Sequence, residues 1–518
     1  MVIAEHFRET KEKLKSINKK HIGQRLVKEW YFPEQNILPP CFSVENFNLN
    51  TNPYFKINKK KTKFKPDSSE LIKIKYPKSL LTDRIFSIQN PKHYHDIVYR
   101  IIDDWDNIVN ILFNKDLKIY SYSLPIPLNT SGNPLRSWRL IYERIQMAEK
   151  DVVLESYKYE FIARSDITNF YNSIYTHSIS WAIHWIEYME DTTKRNDYTL
   201  VWNKIDKLVQ YSNKARTNWV WIWSALNDLI AEIILSAIDL NVSKKLTEEN
   251  IDFIWTRFKD DYRFLCHSKE DANLILKTLE QELSQFHLLI NEAKTTVFEL
   301  PNWLYREHDK EYHIYSLKDI NNIPFKKVEI TILKVLEIHN KFKWTSIIEK
   351  FLNELTDRNK DYKLKIKFSD RETERQISRL FSLLILIKRE SEKALCYILS
   401  IIELIYIEYK DQFPNLKTEI KELITTEIEK ANEKKSIFQL VWYCFFSQHL
   451  NLWIKLNKKV DSNLQKDLLL KSCLKNKQMF FDDKCFKKLW IQLFKKIDEF
   501  NNVKLMEILD IFHRREDE

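Results

Sequence analysis

The spacing of apolar residues changes along the chain, and from about residue 326 onwards it is helical. Apolar side chains there recur three and four positions apart, with charged residues between them and few prolines. This pattern predicts helices at 330–338, 345–355, 373–388, 391–409, 416–431, 436–456, 464–474 and 485–500. Helices in such close succession are typical of stacked helical pairs, although no fixed repeat motif recurs. We therefore predict an all-α domain at 320–518.

Between about 150 and 300 the pattern alternates between strands and helices. Residues 161–166 (FIARSD) alternate apolar and polar positions, which predicts a strand that ends in an aspartate. Residues 251–266 form two β-rich arms around the polar turn Lys259-Asp260-Asp261, which is typical of a hairpin. Further upstream, the pattern predicts helices at 93–114 and 137–149, and a strand and loop at 121–134. We therefore expect an α/β domain at 1–315.

Three aspartates would meet if the strand and the hairpin were neighbours in one sheet. Taken singly, each has an ordinary explanation, Asp166 as a strand end or helix N-cap and Asp260 and Asp261 as turn residues. Taken together, three carboxylates in one place repel each other unless a cation is bound. Mg²⁺ prefers oxygen ligands and is commonly held by one or two carboxylates and by substrate phosphates. Because two such ions can clamp the attacking and leaving oxygens of a phosphoryl displacement, the pattern points to nucleotidyl transfer.

Composition narrows the classes of function. Of the 518 residues, 44% are hydrophobic, which suffices for a large core and excludes global disorder. The chain has 2 glycines, where an average chain of this length has roughly 36. Glycine-rich phosphate loops and dinucleotide fingerprints are therefore absent, which excludes Walker-type NTPases and Rossmann dehydrogenases. The net charge is +10 (83 Lys and Arg against 73 Asp and Glu), which fits a polyanionic partner without requiring one.

Cysteine usage and hydropathy indicate the compartment. The six cysteines form no Cys-x-x-Cys pair, so we expect buried free thiols rather than a zinc ribbon or a disulfide framework. The N-terminus is charged and lacks the apolar segment of a signal peptide. The longest apolar stretches, such as 437–446, fall short of the roughly 20 residues that span a bilayer. These features predict a soluble cytoplasmic protein without a membrane partner.

Several longer segments surround the three aspartates. They are 166–181 (DITNFYNSIYTHSISW), 217–233 (TNWVWIWSALNDLIAEI), 257–262 (RFKDDY) and 290–296 (INEAKTT), preceded by YFP at 31–33, LPP at 38–40 and LRSWR at 135–139. In order and spacing, the first four resemble motifs A, B, C and D of reverse-transcriptase-type polymerases. More narrowly, the chain resembles the bacterial abortive-infection (Abi) and defence-associated reverse transcriptases over roughly residues 25–300.

The resemblance implies a fold and a metal site. The fold is an α/β (α+β) palm and fingers with an antiparallel palm sheet at 1–315, followed by an all-α, HEAT-like helical repeat at 320–518. Asp166, Asp260 and Asp261 take the places of the catalytic carboxylates, which would bind Mg²⁺ or Mn²⁺.

The resemblance also implies nucleotide-binding residues. Tyr171 falls where an aromatic ring excludes a 2′-hydroxyl, and Lys294 would offset charge on the leaving pyrophosphate. Arg136 and Arg139 would hold the triphosphate through guanidinium–phosphate pairs. Each residue also has a plainer interpretation: a core tyrosine, a solvated lysine, and helix-surface salt bridges for the two arginines.

The implied reaction is the addition of dNTPs to a 3′-hydroxyl by a homo-oligomer that acts in anti-phage defence. The resemblance includes synthesis that needs no template and starts from a protein hydroxyl, which would leave the DNA product covalently attached to the protein. One alternative is an RNA-templated reverse transcriptase that uses a non-coding RNA. Another is a polymerase-derived nucleic-acid-binding or scaffold protein that has lost its chemistry.

The sequence departs from the family pattern at two kinds of position. Lys259 stands where the family usually has a small or apolar residue. Tryptophan stands where the family has glycine, at Trp30, Trp185, Trp202, Trp219, Trp221 and Trp223. Three explanations compete for the tryptophans: a strand with one aromatic face in the core, indoles that fill the template groove or stack on bases, and UGA codons that stand for glycine.

Overall fold

A computed structural model of the chain describes residues 2–28, 30–32, 37–42, 44–45, 47–58, 63–78, 82–124, 148–218, 225–343, 345–357, 362–475, 490–491 and 504–506. Helices make up most of the regular structure in these ranges. In the first half they are α1 (Val2–Ser16), α2 (Lys19–Lys28), α3 (Pro91–Asp103), α4 (Trp105–Leu112), α5 (Phe170–Ser173), α6 (Ser178–His184), α7 (Ile186–Glu190), α8 (Thr192–Arg195), α9 (Val201–Tyr211), α10 (Ala225–Glu248) and α11 (Lys269–Gln285).

The second half is dominated by longer helices. They are α12 (Glu307–His313), α13 (Phe325–Lys341), α14 (Ile347–Glu354), α15 (Thr373–Glu390), α16 (Leu395–Tyr409), α17 (Leu416–Glu433), α18 (Ile437–His449), α19 (Leu456–Lys459) and α20 (Leu468–Lys475). Consecutive long helices pack against each other, as α13 does on α14, α15 on α16 and α17 on α18. Their apolar faces converge on the interior, so most of the helices predicted here are confirmed. The helix predicted at 436–456 is too long, because α18 ends at His449.

The strands are short and form several sheets. They are β1 (Val44–Glu45), β2 (Ile72–Pro77), β3 (Asp83–Ile88), β4 (Ile119–Ser121), β5 (Phe161–Asp166), β6 (Phe253–Phe258), β7 (Asp261–Cys266), β8 (Thr296–Glu299), β9 (Ile323–Pro324), β10 (Thr356–Asp357), β11 (Lys363–Leu364), β12 (Ile366–Lys367) and β13 (Trp490–Ile491). The largest sheet has five strands in the order β4-β6-β7-β5-β8.

This central sheet is antiparallel except for its β4–β6 pair, which is parallel. Strand β6 is buried along nearly its whole length, as expected where both faces of a sheet are covered. Helix α10, 24 residues long, is buried on nearly all sides and packs against β4 and α11. The molecule is therefore a mixed α/β structure, as the sequence predicts.

The predicted strand at 161–166 and the predicted hairpin at 251–266 are confirmed, and they lie side by side as β5, β6 and β7. The turn is one residue shorter than expected: it contains Lys259 and Asp260, while Asp261 already belongs to β7. The helix predicted at 93–114 is instead two helices, α3 and α4. Asp104 interrupts it with φ −101° and ψ 18°, and its carboxylate accepts a hydrogen bond from another helix.

The expectation of a strictly all-α region at 320–518 is wrong. Two-residue strands pair there, β10 with β11 and β9 with β12. The reason can be seen in 363–367 (KLKIK), whose alternation of polar and apolar residues favours a strand. The helix predicted at 485–500 is also wrong at residues 490–491, which form β13 and pair with β1. The boundary at 315–320 stays a prediction.

One large hydrophobic cluster joins residues from both predicted domains. The β2–β3 hairpin takes part in it, because Tyr76 packs edge-on against Phe438 of α18 with the ring centroids 5.3 Å apart. The five cysteines that the structure describes are free and buried, as expected, and Cys485 lies outside the described residues. Among the helices described, none has the length and apolar character needed to cross a membrane.

Candidate active site: three aspartates on adjoining strands

Asp166 and Asp261 lie directly opposite each other on the antiparallel strands β5 and β7. The carbonyl of Asp166 points away from β7 and accepts a hydrogen bond from the amide of Asn291 at 2.7 Å. The next residue, Ile167, donates across to the carbonyl of Asp260 at 3.2 Å. Asp166 and Asp261 therefore form a non-hydrogen-bonded pair, the kind in which side chains on one face come closest.

Asp260 occupies the two-residue turn between β6 and β7. Its neighbour Lys259 has φ 52°, a left-handed conformation of the sort that tight hairpin turns require. Two hydrogen bonds hold this turn: the Lys259 amide donates to Oγ of Ser123 at 2.9 Å, and Nη1 of Arg257 donates to the Lys259 carbonyl at 3.2 Å. The turn therefore places Asp260 beside the facing pair, and the three aspartates are brought together.

The electrostatics of Asp260 reflect this crowding. Burial, together with the nearby charges of Asp166 and Asp261, raises its pKa from 3.8 to about 6. A divalent cation among these oxygens would remove that penalty, and carboxylate oxygen is the ligand that Mg²⁺ and Mn²⁺ prefer. In the chemistry of the donor atoms, the cluster fits such an ion.

Cationic side chains already contact these carboxylates. Nζ of Lys294 lies 3.0 Å from Oδ2 of Asp166, and guanidinium nitrogens of Arg164 and Arg263 lie 3.9 Å from Oδ2 of Asp261. Within the described ranges, no group of three or more His, Cys, Asp and Glu side chains is arranged so that it could hold a metal ion. Metal binding would therefore require the three aspartate side chains to rearrange so that their oxygens converge, and Asp166 to exchange its lysine partner for the ion.

A buried charge network supports the hairpin from behind. The fully buried guanidinium of Arg257 donates to Oδ2 of Asp239 at 2.8 Å and to Oε2 of Glu232 at 3.0 Å. The hydroxyl of Tyr262 also donates to Asp239, at 3.1 Å, and Ser121 and Ser123 both donate to Glu232. Burial raises the pKa of Asp239 to about 6 even though Arg257 opposes the shift.

Sequence reasoning missed this network, although one signal was present. An arginine that interrupts the otherwise apolar arm FIWTRF must find buried anionic partners, because an unpaired charge there would be costly. The sequence does not show which carboxylates pair with Arg257, since Glu232 and Asp239 lie on α10, about 20 residues before it in the chain.

Tyr171, the residue at the predicted sugar gate, lies close to the turn. Its hydroxyl donates to Oδ1 of Asp228, and Nζ of Lys259 lies 3.0 Å from the other oxygen of Asp228. The same ammonium lies 5.9 Å from the centre of the Tyr171 ring. Burial and the Asp228 charge raise the pKa of Tyr171 well above its ordinary value, so the phenol keeps its proton. Lys259 thus binds a carboxylate of α10 beside the turn, a role not foreseen from the sequence.

The remaining sequence-predicted residues fall into two groups. Arg136, Arg139, Trp219, Trp221 and Trp223 lie outside the described residues. Trp30 and Trp202 are buried, and Nε1 of Trp202 donates to Oδ2 of Asp104 at 2.6 Å, so the structure accommodates indoles at both positions. Trp185 differs, because it is 45% exposed and has φ 66°.

Comparisons with known proteins add little to this geometry. No family model and no curated protein matches the sequence. Among solved structures, an apo telomerase from Candida tropicalis aligns over 73% of this chain and 69% of its own, with 12% identity and a TM-score of 0.31. A telomerase from Candida albicans in complex with a TWJ fragment of telomeric RNA aligns over 75% and 66%, with 13% identity and a TM-score of 0.27.

A telomerase from Candida tropicalis with the same kind of RNA fragment gives a similar result: 12% identity, 79% and 65% coverage, and a TM-score of 0.27. The chain thus spans about two thirds of the length of these telomerase chains. Scores this low carry no argument about fold or function.

Proposed function

We propose that this chain is a reverse-transcriptase-like nucleotidyltransferase that adds dNTPs to a 3′-hydroxyl. The observation that carries the proposal is the register of β5 against β7, which sets Asp166 opposite Asp261 with Asp260 in the adjoining turn. Once their side chains rearrange, the three carboxylates would supply the oxygen donors for the two divalent cations that such transfers use, and the raised pKa of Asp260 reflects how closely their charges are gathered.

In the proposed reaction Asp166, Asp260 and Asp261 hold Mg²⁺ or Mn²⁺. When bound, the ions supply charge stabilisation for the attacking and leaving oxygens. Lys294, once released from Asp166, is left with a free ammonium at the edge of the site to pair with phosphate oxygens. Tyr171 presents a protonated aromatic ring, held by Asp228, against the sugar of the incoming nucleotide.

The finer part of the proposal rests on the sequence motifs. They favour the Abi and defence-associated group, and with it a role in anti-phage defence, homo-oligomers, and DNA synthesis that starts from a protein hydroxyl without a template. In that case DNA would remain covalently attached to the purified protein. An RNA template would instead make incorporation depend on added or co-purified RNA.

The test is incorporation of each labelled dNTP by the purified chain, analysed on a denaturing gel with and without ribonuclease treatment. We expect labelled product with Mg²⁺ or Mn²⁺, and none from the double variant Asp260→Ala/Asp261→Ala. Asp252→Ala is a matched control, because Asp252 is exposed and lies at the other end of the same hairpin. Equal labelling by wild type and the double variant would refute the assignment of these carboxylates.

A second candidate is a polymerase-derived nucleic-acid-binding or scaffold protein. The observation that favours it is the ion pair between Lys294 and Asp166, which already neutralises one of the three carboxylates. This candidate predicts that the wild-type chain incorporates no label with either metal while it still binds nucleic acid.

A further inference from the structure

Three arginines cluster on the sheet next to the aspartates. Arg164 and Arg263 are directly opposite each other on β5 and β7. They lie two residues along each strand from Asp166 and Asp261, and therefore on the same face of the sheet. Arg306, from the loop that precedes α12, joins them. Arg306 and Arg263 both donate to the same oxygen of Glu149, at 2.9 and 3.1 Å.

Among the described residues, this cluster holds more positive charge than its partners neutralise. Three guanidinium groups share two carboxylates, Glu149 and Asp261, and the contacts to Asp261 are long, at 3.9 Å. Like charges directly opposite on neighbouring strands are destabilising. Arg164 has the weakest set of partners: its guanidinium lies over the ring of Trp303, 5.6 Å from the centroid, and its buried Nε has no hydrogen-bond partner among the described residues.

A buried donor without a partner is costly, and so is a like-charge pair, so the arrangement suits a ligand that brings negative charge and acceptor oxygens. Arg164 and Asp261 are 24% and 32% exposed, so a ligand can reach the cluster from solvent. A phosphate group meets both needs, because a guanidinium can donate two parallel hydrogen bonds to its oxygens.

We propose that Arg164, Arg263 and Arg306 form a binding site for a backbone phosphate of a nucleic-acid strand. The position favours a strand over a free anion. The arginine row lies two residues along each strand from the aspartate row, about 6.6 Å away, which is comparable with the spacing of successive phosphates in an extended strand. The identification of the ligand rests on the proposed function, since it assumes that a strand end reaches the aspartates.

The test measures binding without nucleotide or metal, so it does not depend on catalysis. A short fluorescein-labelled single-stranded DNA is titrated with the protein, and anisotropy is followed over a range of salt concentrations. We expect Arg164→Met to weaken binding about tenfold, in the range for one lost charged hydrogen bond. The slope of log affinity against log salt should fall by about 0.7, the value for one phosphate contact to a single strand.

Arg379→Met is the matched control, because Arg379 lies on the exposed face of α15 and pairs with Glu329. It should leave the affinity unchanged. Thermal unfolding checks that each variant is folded. Arg306→Met, which changes a half-buried residue, is a second variant and should lose the same amount of strand affinity. Replacing the contacted phosphate of the strand by a neutral methylphosphonate should lower its affinity for the wild-type protein. The same replacement should not lower the affinity for Arg164→Met, which has already lost this contact.

Unchanged strand affinity in both arginine variants would overturn the proposal, whether or not the chain incorporates dNTPs. If the variants lost affinity only for inorganic pyrophosphate, the site would bind a free anion and the assignment to a strand would be wrong. If the arginine variants lose strand affinity and the wild-type protein incorporates no dNTP, the binding site is supported. The proposed polymerase activity is then the only part that is contradicted.

Among the described residues, the tryptophans at positive φ are Trp185, Trp303 and Trp453, and of these Trp185 and Trp453 are exposed. Trp185 follows α6 with φ 66° and ψ 149°, a region that glycine populates almost alone, and Trp453 has φ 54°. Their side chains are 45% and 81% exposed, so burial of the indole does little to offset the backbone strain. The ammonium of Lys244 lies over the Trp185 ring, 5.6 Å from its centroid.

We infer that positions 185 and 453 are glycine positions, and that UGA codons in the natural gene are read there as glycine. The composition fits this inference, because the chain has 15 tryptophans and 2 glycines. The end of α6, at position 185, is also where glycine most often terminates a helix.

The inference is tested by Trp185→Gly and Trp453→Gly, with Trp202→Gly as the control. The first two should raise the urea midpoint of unfolding, because glycine relieves the strain at positive φ. Trp202→Gly should lower it, because this indole is buried and hydrogen-bonded. A lowered midpoint in the first two, or UGG codons at 185 and 453 in the natural gene, would overturn the inference. Glycine at both positions in peptides of the protein from its natural host would establish it.

Discussion

The ammonium of Lys294 lies 3.0 Å from Oδ2 of Asp166, although 128 residues separate the two in sequence. Lys294 sits in the short 3₁₀ turn before β8, the strand that flanks β5 on the side opposite β7. Its side chain is 61% exposed, whereas that of Asp166 is 21% exposed. The lysine is therefore free to move away, while the carboxylate stays in the cluster, and the pair behaves as a replaceable counterion.

Replacing Lys294 with methionine should strengthen metal binding. The ammonium competes with a cation for Asp166, and its loss leaves the carboxylates less neutralised. We expect the apparent affinity for Mn²⁺ to rise several-fold, while dNTP incorporation falls because a phosphate-binding cation is lost. Titration of Mn²⁺ followed by electron paramagnetic resonance measures the affinity directly.

Lys277→Met provides the comparison, since Lys277 is an exposed lysine of α11 and its loss changes the net charge by the same amount. If both variants bound Mn²⁺ equally well, the effect would be one of overall charge, and the counterion role of Lys294 would be wrong.

The raised pKa of Asp260 makes stability depend on pH. Well below pH 3.8, the ordinary value, Asp260 is protonated in both folded and unfolded chains. Between about pH 4 and 6 the unfolded chain loses this proton while the folded chain keeps it, so stability falls as pH rises. Above about pH 6 the folded chain is deprotonated as well, and stability falls no further through this group. Relative to wild type, the free energy of unfolding of Asp260→Asn should rise by about 2–3 kcal/mol between pH 4 and pH 8.

Urea unfolding at a series of pH values tests this expectation, and the difference between variant and wild type removes the contributions of other groups. The pKa of Asp239 is raised in the same direction and over the same pH range. The free energy of unfolding of the variant should therefore still fall with pH, but less steeply than that of wild type. Asp252→Asn, at the exposed end of the hairpin, should follow the wild-type curve. A variant curve parallel to wild type at every pH would contradict the role of Asp260.

Tyr171 is expected to select the sugar through its ring rather than its hydroxyl. Tyr171→Ala should lower the ratio of kcat/KM for a dNTP over the matching ribonucleotide by about tenfold or more, because the steric block to a 2′-hydroxyl is removed. Tyr171→Phe keeps the ring, loses only the hydrogen bond to Asp228, and should retain the discrimination. Steady-state kinetics with both nucleotides decide the matter. Equal ratios in wild type and Tyr171→Ala would show that another group makes the selection.

Arg257 should be among the residues most important for stability. Its removal as Arg257→Met leaves Glu232 and Asp239 buried without their cation, which typically costs about 3–5 kcal/mol of the free energy of unfolding. Arg379→Met, which breaks an exposed pair, should cost no more than about 1 kcal/mol. Chemical denaturation of the two variants gives the comparison. Similar losses in both would mean that the buried network contributes little.

The sequence by itself determined the strand at 161–166, the hairpin at 251–266 and most of the C-terminal helices, because each depends on a local period of two or 3.6 residues. It also supplied the three aspartates as candidates, since the residue types and their places at strand ends are local facts. The two-residue strands β9 to β12 were not predicted, because elements this short depend on their pairing partners as well as on a local alternation such as that of 363–367.

Only the tertiary structure decided which strands are neighbours and in what register. A shift of one residue between β5 and β7 would turn Asp261 to the opposite face from Asp166, so the site depends on pairing that no local pattern encodes. The partners of the charged groups were likewise undetermined. They are Asp166 for Lys294, two carboxylates of α10 for Arg257, and Asp261 for Arg164 and Arg263. These contacts join residues far apart in the chain, and burial together with charge, rather than sequence spacing, selects them.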